Sequence, residues 1–449
     1  MIDKIKIFYR NNTIWMYLAK YIIISLFLAI GVILIDSKFI SVLEIIPDVF
    51  LTSVELAKLI LSTLAGALLT ITTFTFSTIM VVLTMYSSNF SPRVVNNFLT
   101  DKMTMKVLGV FIGGFFYCIL ALFFMRNSFS EYSVLSATIA VVYSALCVIY
   151  FVIFVYRVSS SIQATKLISR LYDESYTIIE KALDNRKNQT STDRLEVGIF
   201  SSKFEIISDK SGYLELINYE SLLDKLKDED TKLVIREDMG SFIAKGQILG
   251  SLYYNEEDKK NDDKNESDTN NDELTDKKDK AIDKYHEELT EKILGEITIQ
   301  EERMAYNDYR FSLQKIIDIT LRAISPGIND PNTAIHCINI LSVLLSRLSE
   351  IDGRFTVMRD EKSKSEIVHE DFHFKEDLYF VFYQIIHYGK EDMSIVVAIF
   401  NALKTIKRAS SDEKKATLEE FSDYLYDKSR VCFKHELDLE FLKRARNAV

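Results

Sequence analysis

Eight positions between residues 63 and 87 come closest to a pattern that could do chemistry. Thr63, Gly66, Thr70, Thr73, Ser77, Met80, Thr84 and Ser87 recur at alternating intervals of three and four, in a run without charge. That spacing keeps them on one face of a helix. All but Met80 are small or carry a hydroxyl. Hydroxyls on one face of a membrane helix can line a wet path, with Thr63, Thr70, Thr73, Ser77 and Thr84 as the pore-lining candidates. The same small residues also let membrane helices approach closely, so helix packing is the competing reading. Off-stripe hydroxyls at Ser62, Thr72, Thr75 and Thr78 reduce the contrast between the two faces.

A second pattern is LRAISPGINDPNTA, residues 321–334, which holds two of the chain's four prolines. Asp318 and Arg322 stand four apart on the helix before it, in the favourable order for an ion pair. Pro326 disfavours helix at Ser325, and Gly327 is free to take a positive φ. Asp330 suits an N-cap and Pro331 a first helical turn. A corner between two helices accounts for all of these except Asn329. The sharper alternative is an exposed helix N-terminus that binds an anion or docks on another part of the protein. Arg93, Asp318, Arg322, Ser325, Asn329 and Asp330 are therefore the candidate coupling or ligand positions. Arg93, beside Pro92 at the end of an apolar run, reads either as an interfacial anchor or as a gate.

Other patterns lack the context their chemistry needs. HEDFH, His369 to His373, matches a zinc-protease motif, but that motif needs a helix. Here it ends an alternating strand, where positions four apart are about 13 Å from each other. The glycines of MGSFIAKGQILGSL precede no helix start, so no phosphate site is expected; they fit a small barrel or lipoyl-like hairpin without a modified lysine. The four cysteines have no metal-ligand spacing. We expect no catalytic residue, no cofactor and no metal. The net charge of −10 argues against a nucleic-acid partner.

The elements that must position these residues follow from hydropathy. Four stretches, at about residues 15–35, 59–88, 107–125 and 132–156, are apolar enough to cross a bilayer, which takes about 20 residues. The first ends without a small-residue cleavage site and reads as a retained helix. The uncharged spans argue against a proton-coupled transporter. Residues 39–51 read as a short interfacial or re-entrant piece. Lys4, Lys6, Arg10 and Lys20, then Arg93, Lys102 and Lys106, then Arg157, Lys166 and Arg170 mark every second flank as basic. Both termini are expected in the cytoplasm of a bacterial inner membrane, with lipid around residues 1–156.

Residues 157–190 continue the apolar helical spacing and predict an extension of the last span to about Asp184. In 191–310, LEVGIF, SGYLELI, TKLVIRED, QILGSLYY and LGEITIQEE predict strands of a small β-barrel or sandwich-like module. Five of the chain's fourteen glycines fall between residues 194 and 254. Residues 255–284 carry twelve acids against seven lysines and predict a disordered insertion. Residues 311–449 predict a helical domain with one β-hairpin, RFTVM and SEIVHEDF. Helix starts are expected near Asp392 and near Ser411 or Asp412.

The blocks SSNFSPRVVNNFLTDKMTMKVLGVFIGGFFYCIL and EERMAYNDYRFSLQKIIDITLRAISPGINDPNTAIHCINIL resemble the two signature blocks of domain of unknown function 2254, a family of predicted bacterial membrane proteins. The matching positions are Ser91, Pro92, Arg93, Asp101, Leu108, Gly109, Arg303, Asp308, Asp318, Arg322, Ser325, Pro326, Gly327, Asn329, Asp330, Pro331 and Thr333. Where that family usually has a histidine pair after the last span, this chain has Tyr156 and Arg157. The resemblance implies the membrane topology and a cytoplasmic domain, and supplies no activity. The residues themselves suggest a homo-oligomeric passive channel for an ion or small solute. A membrane-anchored sensory or binding module without a pore is the alternative.

Overall fold

A computed structural model describes residues 13–37, 39, 46–94, 102–125, 133–161, 163–187, 189–227, 230–255, 271–359 and 364–449. Asp101, Lys4, Lys6, Arg10, part 256–270 of the insertion and the tip of the expected hairpin lie outside them. The chain divides into two units, residues 1–167 and 168–449.

The first unit has four helices: α1 (Thr13–Asp36), α2 (Val54–Asn89), α3 (Lys102–Phe124) and α4 (Ser136–Ser161). Each contains a stretch long and apolar enough to cross a membrane: Met16–Asp36, Val54–Ser88, Met103–Phe124 and Ser136–Ser160. The α2 stretch starts five residues before the expected position. Ser53 caps it, taking the Leu56 N–H. At about 1.5 Å per residue it runs about 50 Å, well beyond the roughly 30 Å of a hydrocarbon core.

The third helix sits at the centre of this unit because its glycines let neighbours close in. A Cβ at Gly109 would come within 3.1 Å of the Leu18 carbonyl oxygen, and one at Gly113 within 2.8 Å of Ser25 Cβ. A Cβ at Gly114 would press on Tyr143 at 2.7 Å. Hydrogen bonds tie the same contact: Ser25 and Tyr143 share one of 2.7 Å, and Tyr143 donates to the Val110 carbonyl at 2.8 Å. At one end, Asp36 accepts the Leu135 and Ser136 N–H groups at 2.8 and 3.2 Å. Beside it, strands β1 (Thr52–Ser53) and β2 (Ser133–Val134) pair antiparallel. Of the expected interfacial piece, residues 40–45 lie outside the described residues, and Asp48–Phe50 forms one 3-10 turn.

The last span does not continue unbroken. After α4 ends at Ser161, a new helix, α5 (Ala164–Lys187), begins. Ser159, Ser160 and Ser161 fall at the break, and serine side chains compete with helical backbone bonding.

The second unit contains two open sheets instead of a barrel. The larger orders its strands β3 (Thr190–Thr192), β10 (Phe355–Arg359), β11 (Glu366–Glu370), β6 (Thr231–Ile235), β8 (Ile248–Tyr254) and β4 (Ser202–Ile207). The smaller is β7 (Phe242–Ile243), β5 (Gly212–Ile217) and β9 (Ile297–Gln300). The expected hairpin does not stand apart within the helices: β11 pairs parallel with β6 from Lys232 to Ile235. This pairing takes the edge a closing barrel would need. LEVGIF is irregular, and its strand falls later, at β4. Two helices were not expected. One is α6 (Tyr219–Leu226), with Asn218 as cap. The other, α7 (Asn271–Leu294), begins within the 255–284 segment. Leu289 and Ile293 bury one side of α7 in the sheet core, with Leu214, Leu233, Leu252 and Ile367.

Six more helices complete the unit: α8 (Tyr309–Ala323), α9 (Pro331–Leu348), α10 (Phe374–Gly389), α11 (Met393–Ala409), α12 (Asp412–Arg430) and α13 (Glu436–Asn447). Asp392 caps α11 by accepting the Ser394 N–H, and Ser411 precedes α12, as helix-start rules predict. Their apolar faces meet through Ile316, Ile338, Leu341, Ile395, Ile399 and Leu403, all buried. Helix α5 is joined to them by Lys315 to Glu174 at 2.8 Å and Arg347 to Glu180 at 2.6 Å.

Candidate functional site

The stripe on α2 stands on the face opposite the one that packs. Ala57, Leu61, Ala65, Leu68, Thr75, Ile79, Val82 and Tyr86 are buried. Thr63, Gly66, Thr70, Thr73, Ser77, Met80, Thr84 and Ser87 are all exposed. Two residues of offset, Leu61 to Thr63, turn a helix by about 200°. The stripe therefore does not serve packing inside this unit. Its threonines donate inward along their own helix: Thr63 to Leu59, Thr70 to Gly66, Thr73 to Leu69 and Thr84 to Met80, at 2.8 to 3.0 Å. Each hydroxyl proton is satisfied while the oxygen keeps acceptor capacity.

The corner at 321–334 uses its polar residues on itself. Ser325 donates to the Arg322 carbonyl at 2.6 Å, and its own carbonyl accepts from Ile328 and Asn329 at 3.0 and 2.9 Å. Asp330 caps α9 by taking the Thr333 N–H at 3.1 Å, and Thr333 Oγ1 donates to it at 2.6 Å. That hydrogen bond holds the Asp330 carboxyl below the usual carboxylate range. A carboxylate already occupies the place an anion would take at this N-terminus. The positive φ falls on Asn329, at 51°, and not on Gly327. Asparagine tolerates this region better than other side-chain-bearing residues, which gives Asn329 its role. Asp318 accepts from Gln314 at 2.8 Å. Arg93 is exposed, with its N–H bonded to Ser91 Oγ at 3.2 Å. It belongs to the first unit, and the corner to the second.

The second unit also holds a cavity of about 240 Å³, lined by charged and apolar side chains, that the sequence did not disclose. Its walls come from the end of α5, the start of α6, the loop before β7, the entry to α8 and the end of β11. Asp308 caps α8 by accepting the Phe311 N–H at 2.9 Å and accepts from Arg303 Nε at 2.7 Å. Both residues belong to the second signature block. The cap sets Tyr309 and Arg310 on the first turn. Gly240, at φ 83°, gives Asp308 room, since any Cβ there would overlap its carboxylate.

Arg310 donates from Nε to Asp377 at 2.6 Å and from Nη1 to Asp238. Tyr309 donates to the second Asp377 oxygen at 2.9 Å. Asp377 lies on the apolar face of α10, and its side chain is 1% exposed. Burial pushes its carboxyl up to about 6, against the opposing pull of Arg310. Across the cavity, Arg186 on the last turn of α5 bonds Thr356 at 2.8 Å and Asp371 at 3.0 Å. His369 bonds the Tyr219 hydroxyl through Nδ1 at 2.7 Å and the Glu237 carbonyl through Nε2 at 3.0 Å. Both ring nitrogens are thus engaged, and His369 stands on a strand. His373 is the cap position of α10, with Asp238 at 4.0 Å. Three buried atoms of this network have no hydrogen-bond partner in the protein: Arg186 Nη1, Arg310 Nη2 and Asp238 Oδ1. Among the described residues no group of three or more His, Cys, Asp or Glu could hold a metal.

One signal in the sequence could have pointed here. Asp377 interrupts the apolar spacing of Phe374, Leu378, Val381, Phe382 and Ile385. A charged residue on a core-facing stripe must find a partner.

Two uncharacterized proteins, from Mycobacterium bovis and Mycobacterium tuberculosis, are each 20% identical over 364 residues, covering 80% of this chain. The chain spans 65% of the length of these relatives. No solved structure matches it. The model of a family described as predicted membrane protein (DUF2254) matches residues 11–405, and the chain belongs to that family.

Proposed function

We propose that this membrane protein assembles from several copies and lets an ion or small solute pass down its gradient, with α2 at the axis and the second unit regulating passage. The observation that supports this reading is the outward position of the α2 stripe. A row of small and hydroxyl-bearing residues opposite the packed face suits contact with another copy or with water. Charges in the spans fall only near their ends, at Lys20, Asp36, Glu55, Lys58, Lys106 and Arg157, which fits passive movement rather than proton coupling. In this reading the lysines and arginines flanking the spans put both termini and the second unit in the cytoplasm, at a bacterial inner membrane.

The test is flux through the purified full chain in liposomes. Thr70→Leu with Ser77→Leu should change the flux and leave unfolding of the second unit unaltered. A monomer in detergent that conducts nothing under any ionic condition would sink the reading. A second reading, a membrane-anchored binding module without a pore, rests on the cavity of the second unit. It expects ligand binding and no flux.

A further inference from the structure

The three unpartnered atoms of the cavity differ in kind. Arg186 Nη1 and Arg310 Nη2 are donors on cations, and Asp238 Oδ1 is an acceptor on an anion. The Arg186 side chain is nine-tenths buried, so its loose donor cannot turn to bulk water. A buried unsatisfied group carries a desolvation penalty that a complementary group removes. The lining charges balance: Lys181, Arg186 and Arg310 face Asp238, Asp308 and Asp371. Adding the two immediate partners, Arg303 and Asp377, keeps the balance. A simple anion would meet the arginine donors, leave Asp238 Oδ1 with nothing closer than His373 Nε2 at 4.0 Å, and add an unbalanced charge beside the Arg310–Asp238 pair. A simple cation would do the reverse. Beside Asn185, Gln189 and Asn307, the wall also carries apolar side chains, Leu216, Ile217, Ile351 and Met358 among them. The volume suits a molecule of amino-acid size.

We propose that this cavity binds a small zwitterion, a free amino acid with an apolar side chain. Its carboxylate takes the unpartnered donors of Arg186 and Arg310 as those side chains turn towards it, its ammonium meets Asp238, and its side chain lies against the apolar part of the wall. The arginine–carboxylate bonds are charge-assisted and directional. Each charged end rejects analogues that lack the matching group, because the site would be left with a buried unpaired polar atom. The proposal is independent of the pore reading and holds whether or not the protein conducts.

The experiment is calorimetric titration of the full chain in detergent with L-leucine, isocaproate and isoamylamine. The two analogues keep the carbon skeleton and lack the ammonium or the carboxylate. Leucine should bind, and each analogue should bind on the order of tenfold more weakly or worse. Asp238→Asn should bring leucine down towards isocaproate, and Arg186→Gln towards isoamylamine. Because the ligand comparison uses the unaltered chain, a variant that fails to fold does not remove the test. Isocaproate binding as tightly as leucine would overturn the inference. So would failure of leucine and every other common amino acid to bind, which would leave those atoms to water. Flux measured on the same preparation after reconstitution into liposomes reports separately on the pore.

Discussion

The two units handle polar side chains in opposite ways. In the first, polar side chains answer to their own helix or to a near neighbour. Thr70 donates to Gly66 and Thr84 to Met80 along α2, while Ser25 and Tyr143 close a bond between α1 and α4. In the second, charged side chains from sequence-distant elements converge. Arg186, Asp238, Arg310, Asp371 and Asp377 come from five segments, and the network ends with three atoms unmatched. A helix in lipid must satisfy its polar groups locally, since no water is there to do so. A folded unit in water can gather charges around a cavity and leave capacity for a ligand. The first unit therefore leaves a hydroxyl-bearing face of α2 exposed, and the second leaves buried charged atoms without a hydrogen-bond partner.

The largest expected effect tests the cost of the buried charges. Asp377 has a folded value of about 6, above the ordinary aspartate value near 4, with burial as the leading cause. Between those values the folded state binds a proton that the unfolded state has lost. The contribution of Asp377 to stability is therefore full below pH 4 and declines as pH rises towards 6. Asp377→Asn removes the titration and keeps the shape, with its amide able to meet Tyr309 and Arg310. Wild-type stability relative to this variant should fall by at most about 3 kcal/mol between pH 4 and 6, and stay level above. Thermal unfolding across that range measures it. A constant difference would mean that the network holds Asp377 charged throughout, and that the two units do not differ in this respect.

A smaller effect is expected in the membrane unit, where packing rather than charge sets the limit. Gly113 lies against Ser25, and a valine there must push α1 from α3. Overpacking of this kind costs about 1–3 kcal/mol. Gly66, also on a membrane helix, has nothing within 4 Å of its missing Cβ, and Gly66→Ala should leave stability unchanged or slightly raised. Thermal unfolding in detergent, read from the first unit, separates the two. Equal losses at both positions would place the α2 stripe in a contact as tight as that of α3.

How much of this was readable differs between the units for the same physical reason. Spans are legible because bilayer thickness sets one length and one composition. Helix starts at Asp330 and Asp392 were legible because a cap acts within three residues. The barrel expectation failed because strand order depends on a partner far along the chain: β11 joins β6 across more than 130 residues. The cavity was hidden likewise. Arg186, Asp238 and Asp371 each sit in a polar stretch and look solvated until the fold brings them together.

The smallest effect concerns the corner, where local rules and fold agree. Asn329 is the single non-glycine residue at positive φ among the described residues. Glycine takes that conformation without penalty, whereas alanine meets its own Cβ. Asn329→Gly should change stability by no more than a few tenths of a kcal/mol, and Asn329→Ala should lose about 1 kcal/mol. The ordering matters more than the size. A backbone role makes glycine the better substitute, because only φ is at stake. A side-chain role in docking or ligand binding makes both substitutions equally poor, and in a functional assay glycine would rescue nothing. Stability and flux measured on the two variants side by side separate a corner that shapes the second unit from one that reports to a partner.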